Sequence, residues 1–479
     1  MPDHKAPGIF IKQVSLLSPS ISSVETAIPA FTGYTQKARL RTDSDLILKP
    51  MRILSLAEYE HYFGYPQPEN GSISVVFSRT VSGMTVLGKI DERLRSKYLM
   101  HYSLQLYFAN GGGPCWITSV GDYSGNTIVP HELKEGLKKV ARKSEVTLLL
   151  FPDAINLSSA FDYYDVHTTA IAQAVRLKDR FVVMDVYHDA ANGSNWKLDI
   201  DGAGGSGGLR NYLSGTAHEL RYAAAYFPGI FTGIDFNYKT PGDDASYKEN
   251  LIKIKGADAT NLATLKQKNN TEYMQAMNAV SDIQMLLPAS PAIAGIYVKV
   301  DKERGVWKAP ANINIAGAIA PEYVLNDVEQ QNLNVDVVAG KSINVIRSFA
   351  GRGVAIVWGA RTLGGNDNEW RYISVRRYCL MAEKSIRIAL KQFTFEPNDQ
   401  SLWQRVSTLI QNYLNEQWKA GALQGNTTRD AFFVNVGLGK TMTLTDILNG
   451  RMIVEVGVAM IRPAEFIILK FVQKMIKKT

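Results

Sequence analysis

The sequence is poor in cysteine. It has two cysteines in 479 residues, Cys115 and Cys379, and they lie far apart in the chain. Small extracellular domains that depend on disulfides use many closely spaced cysteines, so this class of fold is excluded. The simplest interpretation is a protein whose thiols stay reduced, as in the cytoplasm, with no disulfide between these two residues.

Histidine is missing from the C-terminal half. All seven histidines lie at or before His218, so the chain after that residue cannot use histidine for acid–base or metal chemistry. No CxxC, HExxH or EF-hand spacing occurs in the sequence. We therefore expect no metal and no cofactor.

Long apolar runs are also missing. No stretch reaches the roughly 20 apolar residues that a membrane-spanning helix needs, and residues 1–20 lack the apolar core of a signal peptide. The formal net charge of +8 is modest for this length and allows an acidic partner. We expect a soluble protein that neither inserts into a membrane nor depends on nucleic acid.

The length predicts two or three domains, and the first pattern in the chain is α/β. Residues 145–151 (EVTLLLF) and 181–186 (FVVMDV) are typical of buried strands, and residues 159–177 between them are predicted to be helical. This order predicts a parallel βαβ unit. We assign residues 24–350 to α/β domains, with a polar, less clear insertion at about 190–285 that includes a predicted helix around 211–225 and a predicted strand near 226–231.

A separate α+β domain is predicted for residues 351–462. It would contain a strand at Val354–Trp358, a long helix at about 371–392 and a second helix at about 399–419. The second helix follows Pro397, has Asp399 as a candidate N-cap and carries a broad apolar face. The predicted fold class is therefore multidomain, with α/β and α+β parts.

Both ends of the chain carry a short apolar strand on a tether. The first is Gly8–Val14, followed by a Ser-rich linker that ends at residue 23. The second is Phe466–Phe471 within residues 463–479, and it is apolar on both faces except at Lys470. A strand of this kind needs partners on both sides. We call residues 1–23 the N-terminal arm and linker, and residues 463–479 the C-terminal arm.

Two glycine-rich segments resemble phosphate-binding loops only in part. Gly437–Thr441 reads GLGKT, but the first glycine of a P-loop would fall at residue 434, which is valine. Asn110–Pro114 precedes a predicted strand and has no helix N-terminus to offer amides to an anion. We predict a turn at each, the second between two strands, and no nucleotide site.

Asp185–Asp189 (DVYHD) is the one cluster of aspartate and histidine. A hydrolytic triad would also need a serine on a strained elbow, and no G-x-S-x-G lies near it. A solvated loop at the end of a strand is the favoured interpretation, and we expect no enzyme activity.

The long predicted helix carries its cations on one stripe. A helical projection of residues 372–391 places Cys379 on the apolar arc, which predicts a core thiol. The stripe lies on a different arc and can be a solvated face or a surface for an acidic partner. Its members are Arg376, Arg377, Lys384, Arg387 and Lys391.

Several long blocks resemble the sheath proteins of contractile phage tails and of phage-tail-like injection systems. The clearest blocks are residues 287–312, 342–363, 395–425 and 456–471. The segments 7–15 (PGIFIKQVS) and 108–120 (FANGGGPCWITSV) are also similar to the family. The blocks occur in the right order and cover most of the chain, with residues 190–285 least clear.

The resemblance implies a function for the two arms. In this family the arms leave their own subunit and add strands to sheets in neighbouring subunits, so that backbone hydrogen bonds join the copies. Extended, residues 463–479 can reach roughly 55 Å. The residues implied in these inter-subunit strands are Ile9, Phe10, Ile11, Val14, Phe466, Ile467, Ile468, Leu469 and Phe471.

The resemblance also implies an architecture and a set of partners. Residues 24–350 would form outer domains with a subtilisin-like α/β sheet, and residues 351–462 an inner domain whose basic stripe faces a central tube. The partners would be further copies of the chain, an inner tube protein, and baseplate and tail-terminator or cap proteins. The particle would be assembled in the bacterial cytoplasm and become part of a virion tail or of a released extracellular particle.

The expected function is that of a structural sheath subunit. Many copies would polymerise around the tube in a metastable extended state, and contraction would drive the tube outward without nucleotide hydrolysis. The alternatives are a baseplate or tail-terminator protein, or an enzyme such as a P-loop ATPase or a hydrolase that uses Asp185 and His188.

Overall fold

The computed structural model describes residues 20–81, 83–125, 127–202, 207–238 and 251–466. The contacts between these residues divide the chain into two units. The larger unit comprises the described residues from 25 to 381 together with 462–466, and the smaller unit comprises residues 20–24 and 382–461.

Seventeen strands are found among the described residues. Numbered in chain order, they are β1 Pro29–Gly33, β2 Met51–Ile53, β3 Ile73–Thr80, β4 Gly83–Ile90, β5 Cys115–Ser119, β6 Leu148–Leu150, β7 Phe181–Asp185, β8 Ala223–Phe227, β9 Ile230–Thr232, β10 Lys253–Lys255, β11 Met285–Leu287, β12 Ile313–Asn314, β13 Ala318–Pro321, β14 Ile343–Phe349, β15 Gly353–Trp358, β16 Phe432–Val436 and β17 Val454–Val458.

The α-helices of the described residues are numbered in the same way. They are α1 Leu56–Phe63, α2 Met100–Ala109, α3 Pro130–Val140, α4 Ala160–Leu177, α5 Lys197–Asp201, α6 Gly208–Tyr212, α7 Ala217–Leu220, α8 Leu262–Lys268, α9 Asn270–Ser281, α10 Ser290–Arg304, α11 Asp327–Asn334, α12 Ile373–Leu390, α13 Gln400–Lys419, α14 Thr428–Ala431 and α15 Leu444–Leu448. None of them is long and apolar enough to cross a membrane.

A nine-stranded sheet forms the centre of the larger unit, in the order β12-β15-β14-β8-β7-β6-β1-β5-β2. The six strands from β14 to β5 run parallel, and antiparallel strands complete both sides. The predicted βαβ unit is confirmed, because β6 and β7 are parallel neighbours joined through α4. Two three-stranded sheets, β10-β3-β4 and β11-β9-β13, complete this unit.

The predicted insertion at 190–285 contributes a central strand. The predicted helix around 211–225 is right only for short helices, α6 and α7, and the predicted strand near 226–231 starts earlier than expected, because Ala223–Phe227 forms β8 between β7 and β14. All five residues of β8 are buried. Alanine favours helices when exposed, but here its small side chains pack under helices on a parallel sheet, and this tertiary context overrides the local preference.

The structure divides the chain later than the predicted boundary at residue 350. The strand predicted to open the C-terminal domain is β15, and it pairs with β14 and β12 in the large sheet. The division falls inside α12, between Met381 and Ala382. The β14–β15 pair is formed by residues close in sequence, so a boundary at 350 would separate two hydrogen-bonded neighbours.

The smaller unit is built around α13, as the sequence predicted. Asp399 is its N-cap and its side chain accepts a hydrogen bond from the Leu402 amide at 2.8 Å. The predicted apolar face is buried, and its buried members are Leu402, Val406, Leu409, Ile410, Tyr413 and Leu414.

Asp185 links the central sheet to a helix. It lies at the C-terminal end of β7, and its Oδ1 accepts hydrogen bonds from the amides of Ala289 and Ser290, at 2.8 and 2.9 Å, at the start of α10. Burial raises the pKa of this carboxyl to about 6, although the hydrogen bonds from Ser290 and Ala289 oppose the shift. Because the folded-state pKa lies above the ordinary value of 3.8, its contribution to stability is present below about pH 4 and is lost as the pH rises through 6.

We therefore predict that Asp185→Asn changes the pH dependence of stability. Asparagine keeps the Oδ1 acceptor but cannot ionise, so the free energy of unfolding of the variant relative to the parent should rise by up to about 3 kcal/mol between pH 4 and pH 7. Denaturant unfolding of the dilute protein at both pH values measures this difference. The control Asp43→Asn removes a carboxyl that is 88% exposed. Parallel pH profiles for the parent and Asp185→Asn would contradict the prediction.

Candidate assembly site

The candidate site is the sheet formed by β16 and β17 in the smaller unit. Within the described part of the chain it has two strands, paired antiparallel from Phe432 opposite Val458 to Val436 opposite Val454. None of the ten residues in the two strands is buried. A two-stranded sheet is only marginally stable by itself in water, and this one is supported by packing of β16 on α13.

The hydrogen-bond pattern leaves backbone groups at the outer edges of this sheet. The Ala459 amide donates to the Ala431 carbonyl at 2.8 Å, one step before Phe432 pairs with Val458. Because bonded and non-bonded pairs alternate in an antiparallel ladder, the backbone groups of Val434 and Val456 point away from the partner strand. Beyond the C-terminal end of β17, Leu423 and Met460 form a single antiparallel bridge, which, among the described residues, leaves the outer edge of β17 itself uncovered at Val456.

The register of the pair is determined by a glycine. Phe433 lies opposite Gly457, and a Cβ atom at Gly457 would lie 2.1 Å from Cε1 of the Phe433 ring. The Phe433 ring therefore needs the missing side chain. A groove of about 440 Å³ runs beside β16, and its polar wall includes Gln411, Asn412 and Asn415 of α13.

Apolar side chains are exposed around this sheet. Phe433 is 50% exposed in β16, and Leu448 is 79% exposed in α15. Three further side chains in the connection between β16 and β17 are also exposed: Leu438, Leu444 and Ile453. The two-stranded sheet and the connection between its strands thus present both unpaired backbone and apolar surface.

Most of the predicted arm residues lie outside the described residues. These are Ile9, Phe10, Ile11 and Val14 in the N-terminal arm and Ile467, Ile468, Leu469 and Phe471 in the C-terminal arm. Phe466 is the last described residue, and its side chain is 70% exposed.

The residue before Phe466 lies in a pocket of hydrogen-bond donors in the larger unit. Glu465 Oε1 accepts from Arg361 Nε at 2.8 Å and from Asn334 Nδ2 at 2.7 Å. Its Oε2 accepts from Arg361 Nη2 at 2.6 Å and from the Tyr372 hydroxyl at 3.2 Å. Sequence reasoning included Glu465 in the arm but gave it no role, because its partners are distant in sequence.

The predicted stripe of five exposed cations, four on α12 and Lys391 directly after it, is wrong for three of its members. Arg376, Arg377 and Lys384 are buried, with 2%, 4% and 6% of their surface exposed. Arg387 and Lys391 are exposed. A helical projection shows which residues share a face but not which face is covered, and α12 is buried on more than its apolar side. The same projection placed Cys379 correctly, since it is a buried free thiol.

Two of the buried arginines have specific partners. Arg377 forms a two-point ion pair with Asp301, with Nη1–Oδ1 and Nη2–Oδ2 distances of 2.9 and 2.5 Å. The guanidinium of Arg376 lies over the rings of Tyr222 and Trp370, 4.7 and 4.9 Å from their centroids. Aromatic and carboxylate partners of this kind allow a guanidinium to be buried.

Gly437–Thr441 forms a turn and not a phosphate loop. The amides of Lys440, Thr441 and Met442 all point at the Gly437 carbonyl, at 3.1 to 3.2 Å, and the Thr441 hydroxyl donates to the Ile453 carbonyl at 2.7 Å. Val434, at the position of the missing glycine, lies within β16. A P-loop binds phosphate with free amides, whereas these amides already have an acceptor within the turn.

The other two candidate motifs are structural. Asn110–Gly113 connects α2 to β5, so the predicted turn is present but lies between a helix and a strand and not between two strands. Asp185 and His188 are held apart by different partners, since Asp185 binds the start of α10 while His188 Nδ1 lies 2.7 Å from Asp199 Oδ2. No group of metal-ligating side chains occurs among the described residues.

The chain is similar to sheath proteins in sequence and in structure. Residues 365–474 match the family model of the phage tail sheath C-terminal domain. The tail sheath protein of Burkholderia phage BcepMu is 24% identical over 156 residues, which is 32% of this chain and 32% of that protein.

Two solved structures match over almost the whole length. The sheath complex of an extracellular contractile injection system, PVC, in the contracted state is 27% identical with a TM-score of 0.62, over 99% of both chains. A chain from the baseplate structure of the anti-feeding prophage (AFP) is 30% identical with a TM-score of 0.61, over 98% of this chain and 99% of that chain. On the sequence blocks, the fold and this full-length similarity, the chain belongs to the family of contractile tail sheath proteins.

Proposed function

We propose that this protein is the structural subunit of a contractile sheath. Copies polymerise around an inner tube in a metastable extended state, and contraction drives the tube into a target envelope. The observation that carries this proposal is the similarity to a subunit of a sheath complex over 99% of both chains. The protein needs no nucleotide, because the energy of contraction is stored at assembly and released over a kinetic barrier.

Strand exchange joins the copies. Each smaller unit offers the two-stranded sheet of β16 and β17, with backbone groups at its outer edges, and each chain carries two apolar arm strands. An arm strand from a neighbour that pairs beside Val434 extends the sheet through main-chain hydrogen bonds and covers exposed apolar side chains. The absence of any buried residue in the isolated β16–β17 sheet supports this role.

The two parts of the chain have different roles in the proposed sheath. Residues 24–350 form the outer part, with a subtilisin-like α/β domain that serves as a scaffold and not as an enzyme. Residues 351–462 face the tube, where Arg387 of α12 and Lys391, which directly follows α12, offer exposed positive charge. Many weak charge pairs, each worth roughly 0–1 kcal/mol, hold the sheath in register with the tube and still allow it to slide.

Contraction is driven by new contacts between subunits. As a scale, burial of about 1,000 Å² of apolar surface per subunit releases at most about 25 kcal/mol. The sheath assembles in the bacterial cytoplasm, starts at a baseplate and ends at a terminator or cap protein. The match to a baseplate structure supports contact with that assembly.

A baseplate or tail-terminator role is the alternative within the same class of machine. Such a protein forms a single ring, whereas a sheath subunit forms long striated cylinders. Negative-stain electron microscopy of the purified protein distinguishes the two, and rings without cylinders would overturn the sheath assignment.

The first prediction concerns the donated strand. Deletion of residues 467–479 should leave a folded protein that forms no cylinders, because the strand it removes stabilises neighbouring copies and not its own core. Circular dichroism and electron microscopy measure the two effects. Deletion of residues 477–479 alone is the control, since it leaves the apolar strand intact. Cylinders of normal length from the longer deletion would contradict strand exchange.

The second prediction concerns the accepting edge. Val434→Pro removes an amide that points to the outer edge of β16, so it should spare the β16–β17 pair and block the added strand. We expect a folded protein with cylinder formation lost. Val434→Thr keeps the amide and a β-branched side chain, and it should assemble normally. Equal assembly of the two variants would show that this edge accepts no strand.

The third prediction concerns the turn that resembles a P-loop. Calorimetry should detect no ATP binding to the intact protein, because the amides of the turn already have an acceptor. Lys440→Ala should leave assembly and contraction unchanged. Micromolar ATP affinity that disappears in the variant would overturn contraction without a nucleotide.

The fourth prediction concerns the tube-facing charges. Arg387→Glu combined with Lys391→Glu should leave the protein folded and able to form tube-free contracted cylinders, but should prevent extended sheath from forming around tube. The matched control is Lys302→Glu with Arg304→Glu, which reverses two exposed charges on α10 of the larger unit. Sheath is assembled together with tube, and tube-filled extended particles are counted by electron microscopy. A normal number of such particles from the Arg387→Glu, Lys391→Glu variant would refute a contact between these charges and the tube.

A further inference from the structure

The Glu465 pocket is built to hold a carboxylate. Four hydrogen bonds reach its two oxygens, and Arg361 supplies two of them from the side of its guanidinium. The remaining nitrogen of Arg361, Nη1, is directed at the carbonyl groups of Asn334 and Gly365 at 3.4 and 3.3 Å. The guanidinium therefore makes a hydrogen bond from each of its three nitrogens.

The Arg361–Glu465 pair is shielded from water. The Arg361 side chain is 3% exposed and that of Glu465 is 19% exposed. Burial by itself would raise the pKa of Glu465, but hydrogen bonds from Arg361 and Asn334 outweigh it and hold the pKa below its ordinary range. Exposed ion pairs weaken in salt, whereas a buried two-point pair keeps its strength.

The position of this pair in the chain is specific. Glu465 belongs to the larger unit and directly precedes Phe466, the first residue of the predicted arm strand. At the other end of the chain, residues 20–24 belong to the smaller unit, where the Val24 amide donates to Ser385 Oγ at 3.0 Å and the Ser23 hydroxyl to the Tyr413 hydroxyl at 3.3 Å. The two arms therefore start from different units.

We propose that Arg361, Asn334 and Tyr372 anchor the C-terminal arm to the larger unit through Glu465. This inference rests on the proposed strand exchange. While these hydrogen bonds are intact, a force that a neighbouring copy exerts on the arm is transmitted through Glu465 to the larger unit. Glu465 is a positioning residue, since it holds the start of the donated strand and pairs with no neighbour itself.

The anchor can be measured in the unassembled protein. A spin label at Phe466→Cys reports the motion of the first arm residue, and both native cysteines are buried and so protected from labelling. We expect an immobile spectrum in the parent and loss of the immobile component in Glu465→Gln, which removes the charge and keeps the shape. An immobile label in Glu465→Gln, or a mobile label in the parent, would overturn the anchor.

Glu465→Gln leaves the buried Arg361 without its carboxylate partner, and this variant can fail to fold. A second variant therefore tests the anchor independently. Tyr372→Phe removes one donor to Glu465 and leaves no buried charge unpaired, so it should fold and increase label mobility by a smaller amount. The matched control is Glu272→Gln, which breaks the Arg79–Glu272 pair (2.8 Å) elsewhere in the larger unit. The spin label should stay immobile in this control. The melting temperature of each variant shows whether it is folded.

Assembly supplies the second readout. Sheath made from Glu465→Gln should form fewer or shorter cylinders than sheath made from the parent or from Glu272→Gln, as counted by electron microscopy. If the label is released and the cylinders stay normal, the transmission of force through Glu465 is refuted. If the parent itself forms no cylinders, the proposed function fails, whereas the label experiment still decides whether Glu465 anchors the arm.

Discussion

The edges of β-sheets are the constraint on which this molecule depends. A strand at an edge presents backbone donors and acceptors that must find partners or remain in water. The larger unit limits this exposure, because its nine-stranded sheet ends in β2 and β12, which have three and two residues. In the smaller unit the edges are longer, since β16 and β17 have five residues each, keep an outer edge each and bury none of their residues. The same rule of pairing thus gives one unit whose large sheet ends in short strands and one whose small sheet, under the proposed strand exchange, is extended by other copies.

Two buried arginines each attach a segment near one end of the chain to the larger unit. Arg377 pairs with Asp301, and both also bind Thr26, whose hydroxyl donates to Asp301 at 2.5 Å and whose carbonyl accepts from Arg377 at 3.2 Å. Arg361 pairs with Glu465 at the start of the C-terminal arm. In both cases a segment near a chain end is attached to the larger unit by a guanidinium that is almost fully buried. Such pairs are costly to break because they would leave an unpaired buried charge, which suits attachment points that have to persist while subunits move.

The motifs that resembled catalytic or nucleotide sites have structural roles in the described residues. The glycine-rich turn after β16 satisfies its own amides, and the aspartate and histidine at the end of β7 serve the packing of α10 and the loop around Asp199. Each motif that resembled a site for catalysis or nucleotide binding is thus explained by local structure.

The sequence by itself determined several of the local elements. The period of apolar residues located α13 and its buried face, and runs of apolar residues located β6 and β7. These features depend on neighbours in sequence, so a reading along the chain can find them. The two arms stay a prediction, because their strands lie almost wholly outside the described residues. Only the tertiary structure decided that β8 starts at Ala223 and lies in the centre of the large sheet, that three of the five cations in the predicted stripe are buried and that Glu465 meets Arg361, 104 residues away. In each case the deciding partner is distant in the chain, and burial and pairing between distant segments leave no periodic signal in sequence.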